Sequence, residues 1–199
     1  MSNRKSADSV YRLRLRVATK LMLAICFFTV VYVVLSVVLS KDEGARVLPS
    51  QLVDLSSHEP GTARVILWDG RPVLIYRRVL AEQQALRVMS GVQKGLLADP
   101  DSVRSTQPDW ADNSYRSRVP EWFVSIGVGM DFSCPVRLLK ASDELFQGTS
   151  WPGGFVDECR GSRYDLAGRV FKNQFATKNL AIPEYTLKGS ALLLGAIEN

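Results

Sequence analysis

The sequence predicts a single N-terminal transmembrane helix followed by an all-β domain, read as an antiparallel sandwich with one short helix. Three observations carry that prediction. Leu21 to Leu39 (LMLAICFFTVVYVVLSVVL) holds 19 residues without a charge, enough at ~1.5 Å per residue to cross a ~30 Å hydrocarbon core. The remainder breaks into short apolar, β-branched runs separated by turn residues at sandwich-like intervals. With 199 residues, the chain is long enough for one domain with a sizeable core beside the anchor.

Each element has its own warrant. Residues 1–20 form a basic tail in which Arg4, Lys5, Arg12, Arg14, Arg16 and Lys20 stand against Asp8, and this tail accounts for the whole net charge of +5. The pI near 9.2 therefore reflects the tail and points to no nucleic-acid partner. The apolar stretch is followed by Ser40-Lys41-Asp42-Glu43, which lacks a small-residue cleavage site, so 21–40 reads as an uncleaved anchor. Its basic flank predicts a cytoplasmic N-terminus and a periplasmic domain in a bacterial inner membrane.

Residues 41–50 (KDEGARVLPS) read as a flexible tether, and 51–199 as the globular domain. ARVILW, Asp69-Gly70 and PVLIYRRV form a predicted β-hairpin. Leu80 to Met89 has helical spacing, and residues 95–120, with Pro100, Pro108 and Pro120, read as a long surface loop. Further strands are expected in WFVSIGVGM, PVRLLK, RYDLAGRVF and ALLLGAI, with a Gly-rich loop at Trp151-Pro152-Gly153-Gly154.

The inventory limits the chemistry. One histidine and three cysteines exclude any site needing two imidazoles from this chain. No phosphate-binding loop, dinucleotide fingerprint, nucleophile elbow or metal-binding helix motif is present. His58 lies in the polar turn Ser56-Ser57-His58-Glu59-Pro60-Gly61 and is read as a solvated turn histidine. Trp68, Trp110, Trp122 and Trp151 are read as scattered core or loop positions with no binding role.

Gly154 to Phe171 (GFVDECRGSRYDLAGRVF) resembles the second cluster-binding box of Rieske iron–sulfur proteins, C-x-C-H-G-S-x-Y-D-x-x-G-R. The first box, C-T-H-x-G-C, falls on Gly129-Met130-Asp131-Phe132-Ser133-Cys134. Asn113-Ser114-Tyr115-Arg116-Ser117, Asn179-Leu180, Ile182-Pro183-Glu184-Tyr185 and the anchor agree as well. The resemblance covers nearly the whole chain and is closest to the Rieske subunit of proteobacterial cytochrome bc1 complexes. It implies a Rieske-like domain with a small cluster-binding subdomain at about 127–175.

The departures from the family pattern set the functional expectation. A Rieske centre binds its two irons through two Cys thiolates and two His imidazoles. The four ligand positions hold Gly129, Asp131, Asp157 and Arg160, none of which supplies such a donor. The 2Fe-2S cluster is therefore expected to be absent, and the catalytic and metal residues to be none. The resemblance also implies a Cys134–Cys159 disulfide, against the alternative of two buried free thiols, worth ~3 to 4 kcal/mol in the chain-entropy model. Cys26 lies in the anchor and is expected to pack there.

The resemblance assigns the retained Gly161, Ser162, Tyr164 and Asp165 to fold maintenance once no cluster needs tuning. Phe175 and Thr177 replace the two prolines of the family's covering loop, and no Arg-Arg export pair precedes the anchor. Asp131 and Arg160 are expected either to form an ion pair bridging the loops, with Asp157 competing for the guanidinium, or to point into solvent at ~0 to 1 kcal/mol. Two Asp beside an Arg argue against a hard-cation site.

The expected function is a cluster-free subunit of a cytochrome bc1-type quinol–cytochrome c reductase or related respiratory complex. Its role would be structural, assembly or regulatory, with cytochrome b and cytochrome c1 or related subunits as partners. A free-standing membrane-anchored periplasmic binding module is the alternative. An ordinary electron-transferring Rieske subunit is opposed by the missing ligands.

Overall fold

The computed structural model describes residues 2–39, 49–89, 91–131, 133–140 and 153–195. The chain divides into two units, Met1–Arg46 and Val47–Asn199. Within the first, α1 (Ser2–Leu39) continues the apolar helix back through the basic tail. Arg12–Ser36 is long and apolar enough to span a membrane. Hydroxyls in this stretch are satisfied inside the helix: Thr19 Oγ1 donates to the Leu15 carbonyl at 2.8 Å, Thr29 to that of Cys26 at 2.8 Å, and Ser36 to that of Val33 at 2.8 Å. Such internal pairing is what a solvent without hydrogen bonds demands. Residues 41–48 of the tether lie outside the described residues, as do Trp151 and Pro152 of the Gly-rich loop and the chain beyond Gly195.

The second unit carries β1 (Gln51–Asp54), β2 (Ala63–Trp68), β3 (Arg71–Arg77), α2 (Leu80–Arg87), α3 (Gly91–Gly95), β4 (Trp122–Ile126), β5 (Val136–Leu139), β6 (Gly154–Asp157), β7 (Arg163–Tyr164), β8 (Tyr185–Lys188) and β9 (Ala191–Leu194). They pair antiparallel into three sheets ordered β1-β9-β8, β2-β3-β4 and β5-β6-β7. The predicted hairpin is β2-β3, closed by Asp69 (φ 48°) and Gly70 (φ 72°), both in the left-handed region that a two-residue primed turn requires. β3 lies between β2 and β4, and Val73 to Tyr76 are all buried.

One apolar core takes residues from all three sheets, including Val53, Leu192 and Leu194, Ile75 and Phe123, and Phe155 and Tyr164. Phe155 ties the small sheet to the larger one, stacking on Phe123 at 5.3 Å and meeting Tyr76 edge-on at 5.7 Å. α2 ends at Arg87, two residues short of the expected Met89, and Glu82 caps it by accepting the Val79 N–H at 2.9 Å. α3 was not expected.

Two sequence readings need correction. Residues 95–120 are not simply a surface loop, because Leu97, Asp99, Ser102, Ala111, Arg116 and Ser117 are buried. Asp99 accepts from the Val103 and Arg104 N–H groups and the Ser105 hydroxyl. Asn179 fastens the loop from outside, donating to the Asp99 carbonyl at 2.7 Å and accepting the Val170 N–H at 2.9 Å. Polar residues thus fill an interior position by satisfying one another. His58 is likewise not solvated: it is 7% exposed, edge-on to Trp122 at 5.4 Å, with Nε2 2.9 Å from the Thr62 carbonyl.

Candidate functional site

The first tip loop, 127–136, joins β4 to β5 and is closed by its own backbone. The Gly129 N–H donates to the Cys134 carbonyl at 2.8 Å, and Val136 N–H to that of Gly127 at 3.0 Å. The second, 157–163, joins β6 to β7 and is organised by Asp157. Its Oδ1 accepts the N–H groups of Cys159 at 3.0 Å and Arg160 at 2.7 Å, and its Oδ2 that of Ser162 at 3.1 Å. Gly161 at φ 69° lets the chain turn back, its N–H meeting the Asp157 carbonyl at 3.0 Å.

The Cys134–Cys159 disulfide joins the two loops, with Cα atoms 5.8 Å apart. Beside it the Glu158 N–H donates to the Pro135 carbonyl at 2.9 Å, and Arg137 pairs with Glu158 at 3.2 Å. A third segment, 173–177, closes the tip: Ala176 N–H donates to Ser162 Oγ at 3.0 Å and Thr177 N–H to Asp131 Oδ2 at 2.9 Å.

These contacts bear on the two readings of Asp131 and Arg160, an ion pair or exposure to solvent. Asp131 and Arg160 are both exposed, and each has a side-chain contact to the third segment. Asp131 holds Thr177, while the Arg160 guanidinium lies over the Phe175 ring at 5.2 Å. Asp157 receives the backbone N–H of Arg160. Phe175 and Thr177 thus touch Arg160 and Asp131, two of the positions that the resemblance aligns with cluster ligands.

Gly129, Asp131, Asp157 and Arg160 all line one pocket with Cys134, Ser162, Tyr164, Phe175 and Ala176, and its volume is about 10 Å³, room for about one water. The Tyr164 hydroxyl is buried there without a hydrogen-bond partner among the described residues, 3.3 Å from where a Cβ on Gly129 would stand. Burial pushes the phenol above its usual range, and the Asp157 and Asp131 carboxylates add to the shift.

These residues do not fit an iron–sulfur cluster of the Rieske type. Gly129 has no donor, both oxygens of Asp157 are taken by backbone N–H groups, and Arg160 carries a guanidinium with no lone pair to give. Cys134, Asp157 and Cys159 cluster within 4.8 Å, but both sulfurs are spent in the disulfide.

The other retained box residues hold the neighbouring turn. Asp165 accepts the N–H groups of Ala167 and Arg169 at 2.9 and 2.7 Å and pairs with the Arg169 guanidinium at 3.2 Å. Sequence reasoning missed three buried arginines around this turn. Arg78 donates to the carbonyls of Leu166, Pro120 and Tyr115. Arg116 donates to those of Ala167, Gly168 and Leu180, and Arg169 to those of Asn113 and Ser114. Burial lowers the pKa of Arg78 and of Arg116 to about 10, with Asp165 acting against the shift in both. Gly168 at φ 70° faces them, and a Cβ there would meet Phe123 at 2.6 Å.

No family model matches the chain. The ubiquinol–cytochrome c reductase iron–sulfur subunit of Allochromatium vinosum is 34% identical over 196 residues, 96% of this chain and 92% of that one. The Rieske-4 subunit of the mitochondrial cytochrome b-c1 complex of Nicotiana tabacum is 37% identical over 163 residues, 81% of this chain and 58% of its own length. The Arabidopsis thaliana Rieske-1 subunit is 35% identical, with 51% of its length matched, so the chain spans about half the length of these plant relatives. A chain of a hyperthermophilic respiratory Complex III aligns over 88% of this chain at a TM-score of 0.40 and 17% identity. Identity of 34% over nearly the full length of both this chain and the Allochromatium subunit decides kinship: the chain belongs to the family of Rieske iron–sulfur subunits of ubiquinol–cytochrome c reductase.

Proposed function

We propose that this chain is a cluster-free member of its family, serving a bc1-type quinol–cytochrome c reductase or a related respiratory complex as a structural, assembly or regulatory subunit. The observation that carries the reading is the tip itself. Its loops keep the disulfide, while the four ligand positions hold Gly129, Asp131, Asp157 and Arg160. Asp157 and Asp131 use their carboxylates to fasten the loops, so the tip is held by hydrogen bonds where a cluster would otherwise cross-link it. A quinol cannot pass an electron to an acceptor that the donor set does not bind. In this reading the partners are cytochrome b and cytochrome c1 or related subunits. The basic flank of α1 faces the cytoplasm and the β domain the periplasm.

The test is expression in a membrane host competent for cluster assembly, with iron, acid-labile sulfide, visible and EPR measurements on the purified full chain. The expected result is no stoichiometric iron or sulfide and no Rieske signal, together with co-purification of b- and c-type haem proteins from mild detergent. A stoichiometric iron–sulfur signal overturns the cluster-free reading. Absence of haem partners from a stable, membrane-bound preparation turns the assignment to a free-standing binding module.

A further inference from the structure

The basic end of α1 has a geometry that the function above does not use. The helix is continuous from Ser2 to Leu39, so Arg12, Arg16 and Lys20 recur every four residues along one face. Together with Leu15 and Thr19 they border a single shallow groove. Arg14 falls on the opposite side of the helix. From Arg12 to Ser36 there is no acidic residue, and the nearest one in sequence is Asp8. Thr19 spends its hydroxyl on the Leu15 carbonyl, which leaves the charged ends as the groove's recognition chemistry.

The depth of the stripe selects its ligand. Leu21 begins the charge-free stretch, which places Lys20 at the hydrocarbon boundary, with Arg16 and Arg12 about 6 and about 12 Å further out at 1.5 Å per residue. A headgroup layer is roughly 5 to 8 Å thick on each side, and long basic side chains lean toward it. Three like charges at four-residue spacing repel one another on a bare helix. Phosphates in that layer stand level with Lys20 and Arg16, oppose the stripe in sign and relieve that repulsion, while Arg12 lies beyond the layer's aqueous edge.

We infer that Arg12, Arg16 and Lys20 form a binding stripe for the phosphodiester headgroups of anionic phospholipids in the leaflet on the N-terminal side. The inference rests on α1 spanning a membrane and is independent of whether the tip binds a cluster.

The experiment places the full chain in nanodiscs of equal phosphatidylglycerol and phosphatidylcholine and counts retained lipids by native mass spectrometry. The wild type is expected to retain phosphatidylglycerol preferentially. Each Arg or Lys near an anionic surface contributes about a fivefold preference on whichever face it sits, so Arg14→Gln loses about fivefold, while the triple variant Arg12→Gln, Arg16→Gln, Lys20→Gln loses most of the preference and Arg16→Gln alone loses more than Arg14→Gln. An unchanged preference in the triple variant, or equal losses in Arg14→Gln and Arg16→Gln, overturns the stripe. Displacement of the lipid by millimolar inorganic phosphate overturns it in favour of a small-anion site. Alkaline carbonate extraction separates the two ideas: wild-type chain released from membranes refutes the span itself, whereas chain retained without lipid preference refutes only the stripe.

Discussion

Replacing Asp157 by alanine tests the claim that a carboxylate holds the tip together. The side chain is 6% exposed and accepts three backbone N–H groups at 2.7, 3.0 and 3.1 Å. A hydrogen bond to a charged group contributes ~1.5 to 3 kcal/mol net, and a buried donor left unpaired costs ~1 to 3 kcal/mol. Cys159 and Arg160 are exposed, so water recovers most of their share. Ser162 is 1% exposed, and its N–H stays unpaired. The expected loss for Asp157→Ala is therefore about 3 kcal/mol, lowering Tm by about 6 to 12 °C in a domain of this size.

Asp157→Asn refines the argument. It keeps an oxygen for Cys159 and Arg160 but turns an amide NH₂ toward the Ser162 N–H, for an expected loss of about 1 to 2 kcal/mol. Urea and thermal unfolding of the full chain, followed by tryptophan fluorescence, measure both variants, and hydrogen exchange at the Ser162 amide reports the site directly. Stability within 0.5 kcal/mol of wild type for Asp157→Ala, or equal losses for the two variants, refutes the reasoning.

Three further outcomes follow from the same structure. Removing the disulfide by Cys134→Ser with Cys159→Ser opens a 25-residue loop, and denaturant titration should show a loss of about 3.5 kcal/mol on the chain-entropy model; no loss would mean that the disulfide does not hold the loops. Gly168→Ala should cost about 2 to 4 kcal/mol, because alanine is strained at φ 70° and its Cβ meets Phe123, Leu180 and Arg116; a neutral Tm would show that the turn relaxes freely. Burial holds the Tyr76, Tyr164 and Tyr185 phenols neutral above the usual value of 10.0. The folded state thus keeps protons that the unfolded chain releases, so their contribution to stability is full below about pH 10 and falls as pH rises beyond it. Absorbance at 295 nm at pH 11 should show fewer phenolates in native than in denatured protein, and equal values would refute the burial argument.

Much of the fold was legible because it depends on local chemistry. The apolar run of α1, the Asp69-Gly70 turn and the strand at Trp122 to Ile126 each need only neighbouring residues to be recognised. β1, β6 and β8 escaped because QLVD, GFVD and YTLK lack the apolar runs that marked PVRLLK and ALLLGAI; they form by pairing with β9, β5 and β9. Residues 95–120 and His58 were misread for a shared reason: a polar residue looks solvated until its partners are known, and here the partners come from distant segments such as Asn179 and Trp122. The buried Arg78, Arg116 and Arg169 belong with them, since their acceptors are carbonyls tens of residues away.

The candidate site divides in the same way. Counting one histidine and three cysteines determined from the sequence alone that this chain cannot supply two imidazoles, and the resemblance set Gly129, Asp131, Asp157 and Arg160 at the ligand positions. Donor chemistry belongs to residue type and needs no coordinates. Only the tertiary structure decided how these side chains are used: Asp157 gathers three N–H groups, Asp131 engages Thr177, and the Tyr164 hydroxyl stands 3.3 Å from where a Cβ on Gly129 would be. Those are relations between loops brought together by packing, and hydrogen-bond partnership depends on angles and distances of a few tenths of an ångström that no one-dimensional pattern encodes.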